Sequence, residues 1–148
     1  LDYRASLWVN KGAARAKAQE SMKLATIVVG NLQECEVALG SKDENEAADA
    51  LLALGVKLAV IKLGADGVLL ATSSERVRIA PTPVEVVCGL GAGDAFGGAL
   101  CYGILQGWDL EQMGRFANAA GALVSTRLTC ADAMPTLSEL DLILEGAS

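Results

Sequence analysis

Val87-Cys88-Gly89-Leu90-Gly91-Ala92-Gly93-Asp94-Ala95-Phe96-Gly97-Gly98-Ala99-Leu100 passes from a β-branched stretch through closely spaced glycines into small and apolar residues. This is the pattern of a strand that turns into a helix. A helix N-terminus leaves its first N–H groups without intrahelical partners and carries a partial positive charge. Glycines just before it, here Gly91 and Gly93, let an anion approach the bare backbone. Asp94 falls in the first turn, where the same field favours its ionised form and where it can take a proton from an attacking hydroxyl. The competing reading is a structural turn in which the glycines supply backbone angles and Asp94 caps the helix.

Around this stretch the chain alternates helical and β-branched segments. Lys11 to Leu24 is rich in good helix formers, and Thr26 to Val29 is a short β-branched run suited to a buried strand. Asn31 to Leu39 and Glu44 to Leu54 read as helices, the second ending at Gly55, and Lys57 to Lys62 as another buried strand. The order αβααβ implies a parallel core. After the turn Gly64-Ala65-Asp66-Gly67 come three short strands, Val68 to Thr72, Arg76 to Ala80 and Val84 to Val87, expected to form an antiparallel margin. Helices follow over Ala92 to Leu105, Leu110 to Thr126 and Leu137 to Leu144. The expected architecture is α/β, a mainly parallel, Rossmann-like sheet flanked by helices, with ligands beyond the carboxyl ends of its strands.

At 148 residues, a net charge of −6 and 52% apolar composition, the chain matches one ordinary domain with a sizeable core. No window approaches a membrane span, and Asp2 and Arg4 before a short apolar patch do not read as a signal peptide, so a cytoplasmic location is expected and a membrane partner is not. An acidic chain without a basic stretch repels nucleic acid. The absence of histidine removes histidine-based triads and histidine-rich metal sites. Cys35, Cys88, Cys101 and Cys130 lack the spacing of a zinc or redox motif and read as reduced, half-buried thiols. Acid–base work falls to carboxylates, lysine or water. A second copy of the chain is the macromolecular partner left open.

Three further segments carry candidate chemistry. Asn31-Leu32-Gln33-Glu34 follows a strand and opens a helix, so Asn31 and Glu34 read as a capping-box pair. Lys62-Leu63-Gly64-Ala65-Asp66-Gly67 ends a strand in a turn, and turn chemistry accounts for Asp66-Gly67. Ala117-Asn118-Ala119-Ala120-Gly121-Ala122 reads as a tightly packed helix face.

Gly91-Ala92-Gly93-Asp94-Ala95-Phe96 is neither a Walker A loop, since no Gly-Lys-Ser/Thr follows, nor a dinucleotide fingerprint, since Phe96 replaces the third glycine. It resembles the C-terminal signature of the ribokinase-like (PfkB) carbohydrate kinases. That resemblance implies an anion hole at Gly91, Ala92 and Gly93 and a catalytic base at Asp94. It gives Asn31 and Glu34 the family's Asn-x-x-Glu role, organising Mg2+ and phosphate through water. It likewise places Lys62, Gly64, Asp66 and Gly67 at the nucleotide phosphates and Asn118 beside the adenine, with ATP and a sugar as the small-molecule partners. Cys130-Ala131-Asp132-Ala133-Met134-Pro135-Thr136 resembles the family's terminal loop, and Leu1-Asp2-Tyr3-Arg4 with Trp8 the end of an Asp-x-Asn-x-Arg…Trp segment. The matches follow family order along the whole chain. They imply the C-terminal, nucleotide-binding half of a ribokinase-like fold, lacking the N-terminal lid half that carries most sugar contacts. One position departs: many members have an aspartate at a monovalent-cation site where Cys88 stands, and a thiol is a poor ligand for a hard cation, which weakens the expectation of potassium activation. The rival reading is a nucleotide-binding or assembly module without turnover. Acyl transfer by a cysteine is weaker, for want of a histidine base.

Overall fold

The computed structural model describes residues 1–128 and 130–146. The chain divides into two compact units, one of Leu1–Gly64 with Val68–Arg78 and the other of Ala65–Gly67 with the residues from Ile79 onward. The first unit holds α1 (Lys11–Met22), β1 (Ile27–Asn31), α2 (Leu32–Leu39), α3 (Glu44–Ala53), β2 (Leu58–Lys62), β3 (Val68–Ala71) and β4 (Arg76–Ile79), whose last residue belongs to the second unit. The sheet order is β1-β2-β3-β4. β1 and β2 run parallel with Asn31 opposite Lys62, while β2 and β3 run antiparallel with Lys62 opposite Val68. The parallel core and antiparallel margin read from the sequence are both present, in one mixed sheet.

Local chemistry explains the element ends. Asn10, Asn31, Asp43 and Asp109 each begin a helix and accept a hydrogen bond from a backbone N–H two or three residues on. α2 stops at Gly40, whose φ of 93° is the left-handed cap that glycine adopts without a Cβ penalty. Leu58 to Ile61 and Val68 to Ala71 are entirely buried, as their unbroken apolar runs require. α2 and α3 pack on β1 and β2, and α1 packs on α2. Met22, Val28, Cys35, Leu51, Ile61 and Leu69 form the centre of this core.

The second unit is helical: α4 (Ala92–Gln106), α5 (Leu110–Ser125) and α6 (Leu137–Gly146). α4 lies against α5 with little between them, since a Cβ at Gly121 would stand 3.1 Å from the Ala92 carbonyl oxygen. Phe96, Leu100, Met113, Phe116 and Val124 are buried in this unit, each side chain contributing about 1.5–3 kcal/mol. The strand expected at Val84 to Val87 does not form. Pro81 and Pro83 remove ladder donors. The N–H groups of Val87 and Cys88 both turn to the Ser125 carbonyl, at 2.8 and 2.9 Å, leaving Val86 and Val87 exposed. β-branched residues make a strand only where a partner offers a ladder. Among the described residues no helix is long and apolar enough to cross a membrane.

Candidate active site

α4 starts unlike its neighbours. Its first residue is preceded by Gly91, with φ 85° and no side-chain cap. Ala92 N–H reaches the Gly89 carbonyl at 3.4 Å and Ala95 N–H the Gly91 carbonyl at 2.9 Å. The N–H groups of Gly93 and Asp94 have no acceptor among the described residues. Two adjacent donors therefore point out of an exposed helix start at its positive end, the arrangement that binds a phosphate oxygen. The Asp94 side chain is exposed, in the same first turn, with no hydrogen bond or ion pair among the described residues. Of the two glycines only Gly91 has a left-handed backbone; Gly93 is already helical.

In the same unit Gly67 and Asn118 both approach the Ile79–Ala80 backbone. Gly67 is buried with φ 91°, and a Cβ there would stand 2.0 Å from the Ile79 carbonyl oxygen and 2.9 Å from the Ala80 carbonyl carbon. Asn118, on α5, donates from Nδ2 to the Ala80 carbonyl at 2.9 Å. Asp66 is exposed in the same turn. Approaches to one backbone segment from a turn and from a helix so distant in the chain leave no signature in spacing.

The remaining candidates belong to the first unit. Asn31 Oδ1 accepts from Glu34 N at 2.9 Å, and Glu34 Oε2 accepts from Asn31 N at 2.7 Å, a complete capping box. It engages one Glu34 oxygen and leaves Oε1 without a hydrogen-bond partner among the described residues; Glu34 lines a hollow of about 140 Å³ with Asp2, Tyr3, Trp8 and Lys17. Asn31 and Lys62 end two neighbouring parallel strands in register, the carboxyl edge where open α/β sheets take ligands. Lys62 makes no ion pair among the described residues. Gly64, with φ 61°, opens the turn that follows. Among the described residues no cluster of three His, Cys, Asp or Glu side chains could hold a metal. The donor set, one free carboxylate oxygen on Glu34 and the Asn31 amide, would suit a hydrated divalent cation bound mainly by other groups and not one held directly by the protein.

All four cysteines are free, but their exposure varies: Cys35 is buried, Cys88 and Cys130 half-buried and Cys101 exposed. Burial, then the neighbouring Glu34 charge, pushes the Cys35 thiol up to about 11, so it carries no nucleophilic thiolate. A hollow of about 560 Å³ in the second unit, lined by Trp108, Arg115, Phe116 and Asp141 among others, contains none of the candidate residues.

A family model for pfkB family carbohydrate kinases matches residues 1–137. The 5-dehydro-2-deoxygluconokinase of Clostridium perfringens is 34% identical over 145 residues, covering 95% of this chain and 43% of the relative. The crystal structure of aminoimidazole riboside kinase from Salmonella enterica, complexed with aminoimidazole riboside and an ATP analogue, superimposes with a TM-score of 0.85 at 31% identity, covering 97% of this chain and 50% of that one. A ribokinase II from E. coli in complex with ATP and Mg2+ gives a TM-score of 0.83 at 28% identity, covering 89% of this chain and 43% of the other. The chain thus spans about half the length of the relatives it matches.

Proposed function

The chain belongs to the PfkB family of carbohydrate kinases, and from that premise we propose that residues 1–148 form the nucleotide-binding and catalytic half of a kinase that phosphorylates a hydroxyl of a sugar or sugar acid. The relatives named 5-dehydro-2-deoxygluconokinase make 5-dehydro-2-deoxygluconate the favoured acceptor. A cytoplasmic location accords with a reaction that draws on ATP. The observation that carries the reading is the start of α4, where Gly91 supplies no cap and the Gly93 and Asp94 N–H groups are left free beside an unpaired carboxylate.

Mg-ATP supplies the γ-phosphoryl group and part of the charge neutralisation such transfers need. The Gly91-Ala92-Gly93 backbone and the Asp94 N–H hold the negative charge that develops on the transferred group. Asp94 takes the proton of the acceptor hydroxyl as that oxygen bonds to the γ-phosphorus and the bond from phosphorus to the β,γ-bridging oxygen breaks, releasing ADP; general-base help of this kind contributes about 10²–10⁴-fold. Asn31 and Glu34 would hold a divalent cation through its water shell, and the cation would supply charge neutralisation at the phosphates. Lys62, Gly64 and Asp66 contact phosphate, and Gly67 and Asn118 shape the nucleotide side through the Ala80 carbonyl.

The second reading is a nucleotide-binding module without turnover; the matched stretch, about half of each relative, is compatible with either. Both readings require nucleotide binding. Titration calorimetry of the chain with Mg-ATP tests it: a measurable heat and a thermal shift are expected, and neither at millimolar Mg-ATP refutes both. Sugar phosphorylation by a polypeptide of the relatives' full length carrying this chain separates the two.

A further inference from the structure

We propose that Arg127 and Glu139 are positioning residues for the anion loop: their ion pair holds the 130–136 turn so that Cys130 backs Gly91 and fixes its left-handed backbone. The inference rests on the proposed phosphate-holding role of the α4 start.

Gly91 has no side chain and no side-chain cap, so its conformation must be imposed by its surroundings. Two supports come from the end of α5 and beyond. The Ser125 carbonyl takes both Val87 and Cys88 N–H groups, tethering the backbone that leads into the loop. On the buried side of Gly91, the Cys130 Sγ lies 2.7 Å and its Cα 3.4 Å from where a Gly91 Cβ would stand. The cysteine therefore fills the space that glycine leaves open, and any movement of Cys130 reaches Gly91 directly.

Cys130 is in turn held by a bracket around its turn. Arg127, just past α5, donates from Nη1 to the Ala133 carbonyl at 2.8 Å and from Nη2 to Glu139 Oε1 at 2.5 Å. Glu139 Oε2 accepts from both the Thr136 N–H, at 2.8 Å, and its hydroxyl, at 2.9 Å, locking the start of α6. Within the turn, Ala133 N–H bonds the Cys130 carbonyl at 3.3 Å, and Ala133 itself is 1% exposed. One guanidinium thus ties both sides of the turn that carries Cys130. An exposed surface pair contributes little on its own, but here its geometry, with every carboxylate oxygen engaged, sets the position of a loop.

The test is hydrogen–deuterium exchange on the chain itself, comparing Arg127→Ala, Arg127→Lys and Glu139→Gln with the unaltered protein, alongside calorimetric Mg-ATP affinity. The Ala92 and Ala95 amides, which bond the Gly89 and Gly91 carbonyls, should exchange about 10-fold faster in Arg127→Ala, with α3 amides unchanged and partial recovery in Arg127→Lys. Mg-ATP affinity should fall about 5–10-fold. Unchanged exchange at Ala92 and Ala95 despite a loosened 130–136 turn overturns the proposal, and so does a uniform rise that includes α3. If Arg127→Ala does not fold, Arg127→Lys and Glu139→Gln decide by the same criteria. Failure of the unaltered chain to bind Mg-ATP refutes the proposed function, while the exchange comparison still decides whether the bracket holds Gly91.

Discussion

Replacing Gly67 with alanine puts a number on the close approach that joins the Gly64–Gly67 turn to Ala80 and Asn118. The residue has φ 91°, a backbone that costs an L side chain about 1–2 kcal/mol. The added Cβ would also stand 2.0 Å from the Ile79 carbonyl oxygen. That oxygen belongs to the backbone, so no rotamer change relieves the clash; the turn or the end of β4 must shift, at a cost typical of overpacking, about 1–3 kcal/mol. The combined loss, about 2–5 kcal/mol, is a large part of a stability of about 5–15 kcal/mol. Gly55→Ala is the internal control: its φ is 97°, yet a Cβ there meets nothing within 4 Å. Urea unfolding followed by circular dichroism should show Gly67→Ala losing about 1–3 kcal/mol more than Gly55→Ala at equal m-values, with a melting temperature lower by on the order of 5–10 °C. Equal losses in the two variants would refute the reasoning, since only the contact with Ile79 distinguishes them. Displacement of Ala80 should also free the Asn118 side chain that donates to it.

Three other outcomes are expected. Asp94→Asn keeps the shape of the side chain but cannot accept the hydroxyl proton, so sugar phosphorylation by a full-length polypeptide should drop about 10²-fold or more while Mg-ATP affinity holds or tightens; near-normal turnover would remove Asp94 from the mechanism. Gly93→Val sets a β-branched side chain beside the two free N–H groups of α4 and should weaken Mg-ATP binding with the circular dichroism intact; an unchanged dissociation constant would leave the glycines as turn formers only. The third concerns pH: the Thr136 N–H, then the Arg127 guanidinium, lowers the Glu139 carboxyl from 4.5 to about 2. A depressed pKa means that its stabilisation is complete above pH 4.5 and is lost as pH falls toward 2. The melting-temperature gap between Glu139→Gln and the unaltered chain should therefore close over that interval, and a gap as wide at pH 2 as at pH 7 would contradict the hydrogen-bonded carboxylate.

What could be read from the chain without coordinates follows the range of the forces involved. Caps, left-handed glycines and apolar runs act within a few residues, so the Asn31–Glu34 box, the Gly40 stop and the buried runs of β2 and β3 were legible. Val84 to Val87 carried the same β-branched signal and failed, because a strand needs a ladder and the Val87 N–H instead bonds the Ser125 carbonyl at the end of α5. Gly91 and Gly93 looked equivalent on paper. Only the first is left-handed, and the difference arises where the chain returns: Cys130 closes the buried side of Gly91, while Gly93 is already the second residue of α4. The candidate chemistry thus divides in two. Residue types at the loop were readable because an anion needs bare N–H groups and a hydroxyl needs a carboxylate. The supports that set the loop's shape, Ser125, Cys130 and the Arg127–Glu139 bracket, were not, because packing partners are chosen by the fold and not by spacing. A loop whose donors are its own backbone has nothing but those supports to orient it, so variation in the bracket should reach phosphate binding without touching a residue of the Gly91–Asp94 motif.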